Sequence, residues 1–530
     1  MAQAYRNVGH RNRQTLQTES ASPNQKQNNA GGYSFTLDSF GRLERFLILG
    51  ADAPTYYASA RDLILNNAAA VQAAINEDGI RAVDMIVDVS TNGRAYRNDA
   101  ALFALAMASA AESESTRTYA MNSLSKVARI GTHLFEYAEF VQQFRGWGRA
   151  LARAVAEWYT EKNVDSIAYQ CVKYRQRNGW SHRDMLRLSH PETSESERRI
   201  VFDWICGRPV NSEKLPPVIR AYEQAKTATP AETVSLIKDF GLPREAIPTD
   251  HLNDPKVWEA LLENMPMTAL IRNLGKMSTD NINLFKPLSS IEQEAVRRIT
   301  DQDVLQKARI HPFGILLALK TYQQGNGFRG KMSWTPNQNI VSALEQAFQL
   351  SFKTIVPTGK RHLLAVDISA SMGWESIMNT NVYPSEAAAA MALITMKTEP
   401  ASMITAFSGR GSCSPVKDIS RMTSINSVIQ KFNSMPAGGT DCAAPMLYAM
   451  DNNIETDVFI VYTDNETWAG YVHPHEALRD YRRKTGIDAK LIVVGMTSTG
   501  FTIADPNDPG MLDVVGFDAN APNVMAEFVR

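Results

Sequence analysis

Cysteine is scarce in this chain of 530 residues, which contains only four. They are Cys171, Cys206, Cys413 and Cys442, and no two of them form a C-x-x-C pair. This spacing argues against a disulfide framework and a cysteine-rich zinc site, and it fits a reducing intracellular compartment. Long apolar runs are also missing, because no window approaches the roughly 18 consecutive apolar residues of a membrane-spanning helix. The first thirty residues lack the apolar core of a signal peptide. We therefore predict a cytoplasmic protein without a membrane partner.

Several catalytic signatures are absent as well. The sequence contains no G-x-x-x-x-G-K-[ST] phosphate loop, no G-x-S-x-G elbow and no H-E-x-x-H pair. His473 and His475 flank a proline beside a predicted helix start, which favours a surface turn over a pair of metal ligands. We therefore predict that the protein is not an enzyme.

The chain divides into three segments by composition. Residues 1–32 are rich in Asn and Gln and offer no apolar face to bury, so we predict a flexible polar leader. In residues 33–356 apolar residues recur at helical spacing, with short Gly, Pro or Asn breaks. Clear helical segments are 99–109, 147–160, 231–240 and 310–321. Many short amphipathic helices cannot be buried around one centre, so we predict an α-solenoid of stacked helix pairs.

Residues 357–530 form the second predicted domain. Apolar strands are expected at 362–366, 403–407, 458–462 and 491–494, and helices at 385–397, 424–432, 443–450 and 475–484. Strands that are buried on both faces and alternate with helices are typical of a doubly wound parallel sheet. The chain is therefore predicted to be a multidomain protein of the α plus α/β class.

The net charge of −1 hides an uneven distribution. Residues 361–530 contain 12 Lys and Arg and 19 Asp and Glu, a net charge of −7. Residues 1–360 contain the other 43 basic and 37 acidic residues, a net charge of +6. If the protein binds nucleic acid, the helical part is where binding is expected.

Carboxylates and hydroxyls follow two predicted strands of the α/β domain. The first strand leads into D-I-S-A-S, the strand 458–462 leads into T-D-N, and a Gly-Gly-Thr loop lies between them. Ligands of doubly wound sheets bind at the carboxyl ends of the strands. Mg²⁺ prefers oxygen ligands, keeps several waters and needs only one or two carboxylates. We predict a Mg²⁺ site that leaves one position open for a partner's carboxylate, with the ligands Asp367, Ser369, Ser371, Thr440 and Asp464.

Two other interpretations fit parts of this cluster. The pentapeptide D-I-S-A-S alone is as typical of a helix N-cap as of a metal site, and the positions of Thr440 and Asp464 favour the metal site. A hydrolytic metal centre lacks a nearby general base. Asp441 and Glu466 are expected to support the ligands or to be solvated.

Basic and aromatic residues are interleaved in three places in the helical part. Residues 173–190 read KYRQRNGWSHRDMLRLSH, which predicts a helix break at Asn178-Gly179 and an N-cap at Ser181. Arginines 145, 149 and 153 are spaced to share one helical face, and residues 320–334 form a third cluster. Lys and Arg contact phosphates, and aromatic rings stack on unpaired bases. Each cluster alone is more typical of a solvated face, and the three together are as typical of a solvated face as of an RNA-binding surface. The tryptophans Trp147 and Trp180 are equally typical of a helical core.

Four segments carry a family resemblance: KYRQRNGWSHRDMLRLSHP, HPFGILLALKTYQQGNGFRG followed by SWTP, DISASM, and AKLIVVGMTSTGFTIADPNDPGMLDVVGFD. The sequence resembles the Ro ribonucleoprotein (SS-A/Ro autoantigen, TROVE domain) family, and it suits a bacterial member. Its α/β half is similar to a von Willebrand factor A domain. The five predicted ligands match the metal-ion-dependent adhesion site of that domain.

The resemblance implies a ring-like α-solenoid of HEAT-like repeats closed by the A domain. Such a protein would bind small non-coding Y RNA on its outer surface and the ends of misfolded or structured RNA in a central hole, for RNA quality control or processing. Implied partners are these RNAs, an exoribonuclease and an unknown protein ligand of the metal site. For the outer surface the resemblance implies Lys173, Arg177 and His182, followed by Arg175, Arg183 and Arg187. For the hole it implies Arg145, Arg149, Lys320 and Arg329.

A different class of function fits the same sequence. The A domain would be a metal-dependent protein-adhesion module, and the helical array a scaffold without a direct role in RNA binding. A test of RNA binding with and without metal separates the two.

Overall fold

The structure is a computed structural model that describes residues 14–50, 60–327, 331–352, 356–374, 376–377, 380–497 and 499–530. The chain divides into two compact units. The α/β unit combines the residues up to Asn67 with those from Phe352 to Arg530, and the helical unit extends from Ala68 to Ser351. The helical unit therefore begins well after the predicted boundary at residue 33.

Up to Leu350 the chain is mostly helical, with two small pairs of strands. The helices are α1 (Ser39–Leu49), α2 (Ala60–Glu77), α3 (Gly79–Thr91), α4 (Asp99–Ala108), α5 (Glu114–Asn122), α6 (Leu124–Val127), α7 (Gly131–Phe144), α8 (Arg149–Thr160), α9 (Val164–Lys173), α10 (His182–Ser189), α11 (Ser196–Ile205), α12 (Pro217–Ala225), α13 (Pro230–Phe240), α14 (Pro255–Asn264), α15 (Met267–Met277), α16 (Ser290–Ile299), α17 (Gln302–Lys307), α18 (Pro312–Gln324) and α19 (Gln338–Leu350). The strands are β1 (Gln25–Gln27), β2 (Tyr33–Thr36), β3 (Gln176–Arg177) and β4 (Trp180–Ser181). None of the helices in the described part of the chain has both the length and the apolar character needed to cross a bilayer.

Local sequence signals set the bounds of these helices, as α13 illustrates. The Thr229 side chain accepts a hydrogen bond from the Glu232 N–H and the Glu232 carboxylate accepts one from the Thr229 N–H, which forms a capping box. Pro230 occupies the first helical position, where its missing N–H costs nothing. Gly241 ends the helix with φ of 63°, in the left-handed region. The predicted helix 231–240 is confirmed.

Helices that are close in sequence pack against each other in the helical unit. Contacting pairs include α3 with α4, α9 with α12, α12 with α13, α13 with α14, and α18 with α19. Distant parts of the unit also meet, because the Tyr96 and Phe313 ring centroids lie 5.0 Å apart. His311 Nε2 donates a hydrogen bond to the Arg94 carbonyl oxygen at 3.0 Å. Residues at the start and the end of the helical unit are therefore in direct contact.

The α/β unit contains the predicted parallel sheet. Its strands are β5 (Arg361–Asp367), β6 (Ala401–Phe407), β7 (Cys413–Pro415), β8 (Val458–Thr463), β9 (Lys490–Gly495), β10 (Phe501–Thr502) and β11 (Met511–Val515). Its helices after Phe352 are α20 (Ser371–Trp374), α21 (Pro384–Thr398), α22 (Ile425–Asn433), α23 (Ala444–Asp451), α24 (Pro474–Thr485) and α25 (Ala521–Val529). Six strands form one sheet in the order β11-β9-β8-β5-β6-β7, parallel except for the edge pair β6 and β7.

The order of the strands indicates where a ligand of this sheet binds. Numbered within the sheet it reads 3-2-1-4-5-6, the order of doubly wound nucleotide-binding folds. The direction of the chain reverses between the neighbours β5 and β8, and ligands bind at the carboxyl ends of the strands at this point. The predicted sheet is confirmed, and its switch point lies where the sequence places two aspartates.

The predicted flexible leader requires a correction over its described residues. β1 lies in the leader and pairs with β2, and β2 pairs with β10, so the described part of the leader adds one strand to the α/β unit. A Cβ on Gly32 would lie 1.9 Å from the Thr467 carbonyl oxygen, so only glycine allows this approach. Residues 14–32 of the leader are ordered because their amide side chains find fixed partners, which an apolar periodicity cannot indicate.

Helix α1 also belongs to the α/β unit. Arg45 is 1% exposed, and its Nη2 donates to both carboxylate oxygens of Asp513 at 2.8 Å. Its Nη1 donates to the carbonyl oxygens of Thr499 and Phe501, both at 2.8 Å. This buried pair explains why the boundary between the units lies after α1.

Candidate functional site

Two carboxylates lie at the ends of neighbouring strands in the α/β unit. β5 ends at Asp367, and Asp464 directly follows β8. The two strands pair in parallel with Val366 opposite Tyr462, so both carboxylates lie at the same edge of the sheet. Asp367 is 0% and Asp464 4% exposed. Two acids are thus buried at the switch point.

Hydroxyl groups surround Asp367. The Ser369 N–H donates to Asp367 Oδ1 at 2.8 Å, and Thr463 Oγ1 donates to Oδ2 at 2.7 Å. The hydroxyl oxygens of Ser369 and Ser371 lie 2.9 Å apart. These bonds fix the orientation of the Asp367 carboxylate. This role of Thr463 was not predicted from the sequence, which placed Thr463 only at the end of an apolar strand.

The loop that carries Thr440 lies beside this cluster. The Ala370 N–H donates to the Gly438 carbonyl oxygen at 3.2 Å, and Thr440 is 2% exposed. Asp441 is 1% exposed and accepts a hydrogen bond from the Gly411 N–H at 2.8 Å. Asp441 is therefore a buried residue that joins two loops, and it is not solvated.

The acids at this edge repel one another. Burial, and next the neighbouring Asp464, raises the pKa of Asp367 to about 7. Burial and Asp464 also raise the pKa of Glu466 to about 7, while a hydrogen bond of 2.7 Å from Asn29 Nδ2 lowers it. A divalent cation would offset this repulsion. Within the described ranges no three His, Cys, Asp or Glu residues are placed to share a metal ion, so an ion here would depend on hydroxyl oxygens as well.

The N-terminal segment holds the loops of this cluster through Gln17. The Gln17 side chain is 0% exposed, and its Nε2 donates to Asp441 Oδ1 and to the Val472 carbonyl oxygen, both at 2.8 Å. Its Oε1 accepts hydrogen bonds from Thr467 Oγ1 at 2.7 Å and from the Gly470 N–H at 3.0 Å. One side chain from the leader thus ties together the loops on either side of β8.

Residues 173–190 form a helix end, a hairpin and a second helix. β3 and β4 pair with Arg177 opposite Trp180, and the turn between them has Asn178 at φ of 50° and Gly179 at φ of 79°. Ser181 caps α10 in a capping box with Asp184. The predicted break and N-cap are confirmed, whereas the hairpin was not predicted.

The arginines of this segment are exposed, and Lys173 is half-buried. Arg177 is 54% exposed and forms an ion pair of 2.8 Å with Glu136. Arg175 lies over the Tyr222 ring, with 5.4 Å from its guanidinium carbon to the ring centroid. Lys173 lies over the Tyr174 ring, and burial lowers the pKa of its ammonium group. These contacts hold the cations in place while the arginines keep access to solvent.

A tryptophan pair lies beside these cations. The Trp147 and Trp180 rings are stacked, with centroids 6.2 Å apart and an angle of 20° between their planes. Trp180 Nε1 donates to Glu139 Oε2 at 3.0 Å, and Trp147 Nε1 donates to the Leu188 carbonyl oxygen at 3.1 Å. Both rings are partly exposed. Trp147 and Trp180 are therefore not core residues between helices, which was one interpretation that the sequence allowed.

His182 does not belong to this surface, which corrects the prediction. It is 3% exposed, and its ring contacts Phe135 with centroids 4.8 Å apart and Trp158 with centroids 6.2 Å apart. Its Nδ1 lies 2.7 Å from the Tyr159 hydroxyl. Burial lowers the pKa of His182 to about 4, so the ring is neutral at pH 7. The imidazole is a core group between helices and is shielded from any surface ligand.

The spacing of apolar residues along α10 indicates that His182 is buried. His182, Met185, Leu186 and Ser189 are the buried positions, with the spacing of a core-facing helical stripe. Arg183, Arg187 and His190 are spaced i, i+4, i+7 and are exposed. We call the following set the basic surface: Lys173, Arg175, Arg177, Arg183, Arg187 and His190.

The predicted helical face of arginines 145, 149 and 153 is wrong. α7 ends at Phe144 and α8 begins at Arg149, and the break between them contains Gly146 and Gly148. Arg145 lies in this break, and its Nη1 donates to the Ser109 carbonyl oxygen at 2.6 Å. Arg149 and Arg153 do share α8, and both are exposed.

Only one of two further residues that were predicted to contact RNA lies within the described part of the chain. Lys320 lies on α18 and is half-buried. Arg329 lies outside the described residues, so the structure places only one of the two.

Two family models match the chain. The TROVE domain model matches residues 26–240 and 242–321, and the Ro60 vWA domain model matches residues 361–529. Among solved structures, the crystal structure of the Deinococcus radiodurans RO (RSR) protein superposes with a TM-score of 0.69 at 40% identity. That match covers 93% of this chain and 99% of the other.

Named relatives are similar over nearly the whole length. The RNA-binding protein RO60 of Deinococcus radiodurans is 42% identical over 521 residues, 97% of each protein. The RNA-binding protein RO60 of Caenorhabditis elegans is 34% identical over 594 residues, 97% of this chain and 91% of that protein. The chain therefore belongs to the RO60 family, whose TROVE and vWA domains it contains in this order.

Proposed function

We propose that this protein is a non-catalytic, RNA-binding ribonucleoprotein scaffold. The observation that carries the proposal is the basic surface, on which four exposed arginines lie around a half-buried lysine and beside a stacked tryptophan pair. Relatives over the full length are named RNA-binding proteins, which supports the same function.

The ligand of the basic surface is proposed to be a small structured RNA such as a Y RNA. Guanidinium groups contact phosphates in pairs of hydrogen bonds, and the exposed ring of His190 adds a further hydrogen-bonding group. The helical unit would take up single-stranded ends of misfolded RNA for quality control or delivery to an exoribonuclease. Arg145, Arg149 and Lys320 are the described residues proposed for these ends. The cytoplasmic location stays a prediction from the sequence.

Replacing Lys173 and Arg177 together by alanine tests the RNA function. Each lost phosphate contact should lower the slope of log affinity against log salt by about 0.9, so the double variant should lose about two. We expect the affinity for a small stem-loop RNA to fall about tenfold or more in filter binding at 100–200 mM salt, roughly 1.4 kcal/mol.

The matched control is Lys238→Ala with Arg297→Ala. It removes the same two charges at exposed sites, where each cation is already paired with a glutamate. This control should keep wild-type RNA affinity. Equal affinities of all three proteins at matched salt would rule out the basic surface as the RNA site.

The buried acids favour a second function, a metal-dependent adhesion site for a protein partner. Asp367, Ser369, Ser371, Thr440 and Asp464 would hold a divalent cation, for which Mg²⁺ is proposed. The ion would supply positive charge for a partner's carboxylate when bound. The donor set fits, because two neighbouring buried carboxylates and adjacent hydroxyls offer hard oxygen atoms.

Asp367→Ala tests this site by calorimetry with Mg²⁺. Loss of one of two carboxylates should abolish measurable Mg²⁺ binding or weaken it at least about a hundredfold. Asp488→Ala, at a fully exposed position in the same unit, is the control and should bind Mg²⁺ as the wild type does. Unchanged Mg²⁺ affinity of Asp367→Ala in the folded protein would refute the ligand assignment.

The same variant separates the two functions. If the chain binds RNA directly, Asp367→Ala should bind the stem-loop RNA with wild-type affinity. A protein-adhesion scaffold without an RNA role should instead show no specific RNA binding in either protein.

A further inference from the structure

A cavity of about 620 Å³ lies within the helical unit, and no residue of the basic surface lines it. Its walls come from α15, from α18 and from the chain around Tyr96 and Trp334. Ile271, Leu274 and Leu317 supply apolar side chains. The volume is typical of sites for small organic molecules, which range over roughly 300–1,000 Å³.

Aromatic rings with fixed positions form part of the wall. The Tyr322 and Trp334 rings are stacked, with centroids 6.1 Å apart and an angle of 21° between their planes. Trp334 Nε1 donates to the Tyr322 carbonyl oxygen at 3.0 Å, and the Tyr322 hydroxyl lies 2.8 Å from Ser278 Oγ. The rings are therefore held in place without a ligand.

Two helical glycines allow rings to lie directly on helix backbones. A Cβ on Gly275 of α15 would lie 2.8 Å from the Trp334 ring, and one on Gly314 of α18 would lie 3.0 Å from Tyr96 Cε2. Distances this short exclude a larger residue without a shift of the ring. Glycines at two independent positions thus allow these aromatic rings to form the wall of the cavity.

Three arginines line the same cavity: Arg97, Arg272 and Arg309. All three are exposed, and within the described parts of the chain none has a carboxylate oxygen within 4.0 Å. Three cations around one opening repel one another, and an anion relieves that repulsion. The guanidinium fork suits carboxylate and phosphate oxygens.

We propose that this cavity binds one nucleoside phosphate. The phosphate would contact the arginines, and the base would lie among the aromatic and apolar side chains. A lone phosphate ion would leave most of the 620 Å³ empty, and an uncharged apolar ligand would leave the arginines without a partner. The same chemistry is offered by a free mononucleotide and by the terminal nucleotide of an RNA.

Calorimetry on the full chain with AMP, adenosine and inorganic phosphate tests the proposal. AMP should bind at least tenfold more tightly than adenosine or phosphate alone. Arg272→Gln with Arg309→Gln should weaken AMP binding at least tenfold, and Ala318→Phe, which fills the cavity without a change of charge, should abolish it. Arg208→Gln with Arg297→Gln changes the same charges at exposed sites outside the cavity and should bind AMP as the wild type does.

A short single-stranded RNA with a terminal phosphate distinguishes the two sources. Competition of this RNA with AMP for the wild-type protein identifies an RNA end as a ligand, whereas AMP binding without competition identifies a free nucleotide. Lys173→Ala with Arg177→Ala should leave AMP binding unchanged, so failure of the RNA surface and failure of the cavity are separate results. The proposal is overturned if neither AMP nor the phosphorylated RNA binds, or if both cavity variants bind like the wild type.

Discussion

Gln17→Ala is expected to lower the free energy of unfolding of the α/β unit by about 3 kcal/mol or more, because several buried groups lose their partners and each costs about 1–3 kcal/mol. In the wild type the carboxamide satisfies Asp441, Thr467, Gly470 and Val472 at 2.7–3.0 Å with no exposure to water. Alanine cannot replace any of these bonds. Hydrogen exchange of residues 440–472, followed by mass spectrometry, should show the loss directly.

Gln27→Ala is the matched control for this prediction. Gln27 lies in the same leader but is exposed, and its Nε2 donates only a long hydrogen bond of 3.4 Å to Gly31. Its replacement should leave both the exchange rates and the unfolding transition within about 0.5 kcal/mol of the wild type. Wild-type exchange in Gln17→Ala would show that the leader does not hold these loops.

The variant also connects the leader with the proposed metal site. Gln17 holds the loops that follow Thr440 and Asp464, and groups that position ligands typically change metal affinity 10–100-fold. We expect Gln17→Ala to weaken Mg²⁺ binding by about that factor in the folded protein. Calorimetry with Gln27→Ala as the reference checks this result.

The parallel sheet and its two acids were predictable from the sequence for one physical reason. Strands that are buried on both faces must be short apolar runs, and β5 and β8 are such runs. Their carboxyl ends then place Asp367 and Asp464 at the same edge. The hydroxyl of Thr463 was not predicted, because pairing in the sheet and not spacing in the sequence brings it to Asp367.

The leader could not be predicted by the same reasoning. Its order depends on amides such as Gln17 and Asn28, which gain stability only where matching donors and acceptors are already fixed. Such partners lie more than 400 residues away in sequence. The composition of the leader correctly indicates that it has few apolar residues. Polar contacts of this kind produce no periodic pattern in the sequence.

His182→Ala is expected to destabilise the helical unit by about 3 kcal/mol, because a buried ring is replaced by a cavity. The variant also leaves the buried Tyr159 hydroxyl without its partner at 2.7 Å. His190→Ala, by contrast, removes an exposed side chain and should leave stability within about 0.5 kcal/mol of the wild type. Urea unfolding checks both, and RNA affinity measured well below the unfolding transition should fall in His190→Ala but not in His182→Ala.

The pH dependence of the folding stability gives an independent test of whether His182 is buried. The pKa of His182 is about 4 in the folded chain against an ordinary 6.5, so between these values the unfolded chain binds more protons. His182 therefore lowers stability as the pH falls below about 6.5, and its effect levels off below about 4. The stability of His182→Phe relative to the wild type should thus rise on going from pH 7 to pH 5, since phenylalanine keeps the ring and does not titrate. A pH-independent difference between the two proteins, together with weakened RNA binding by His182→Ala, would instead place His182 on the surface that contacts RNA.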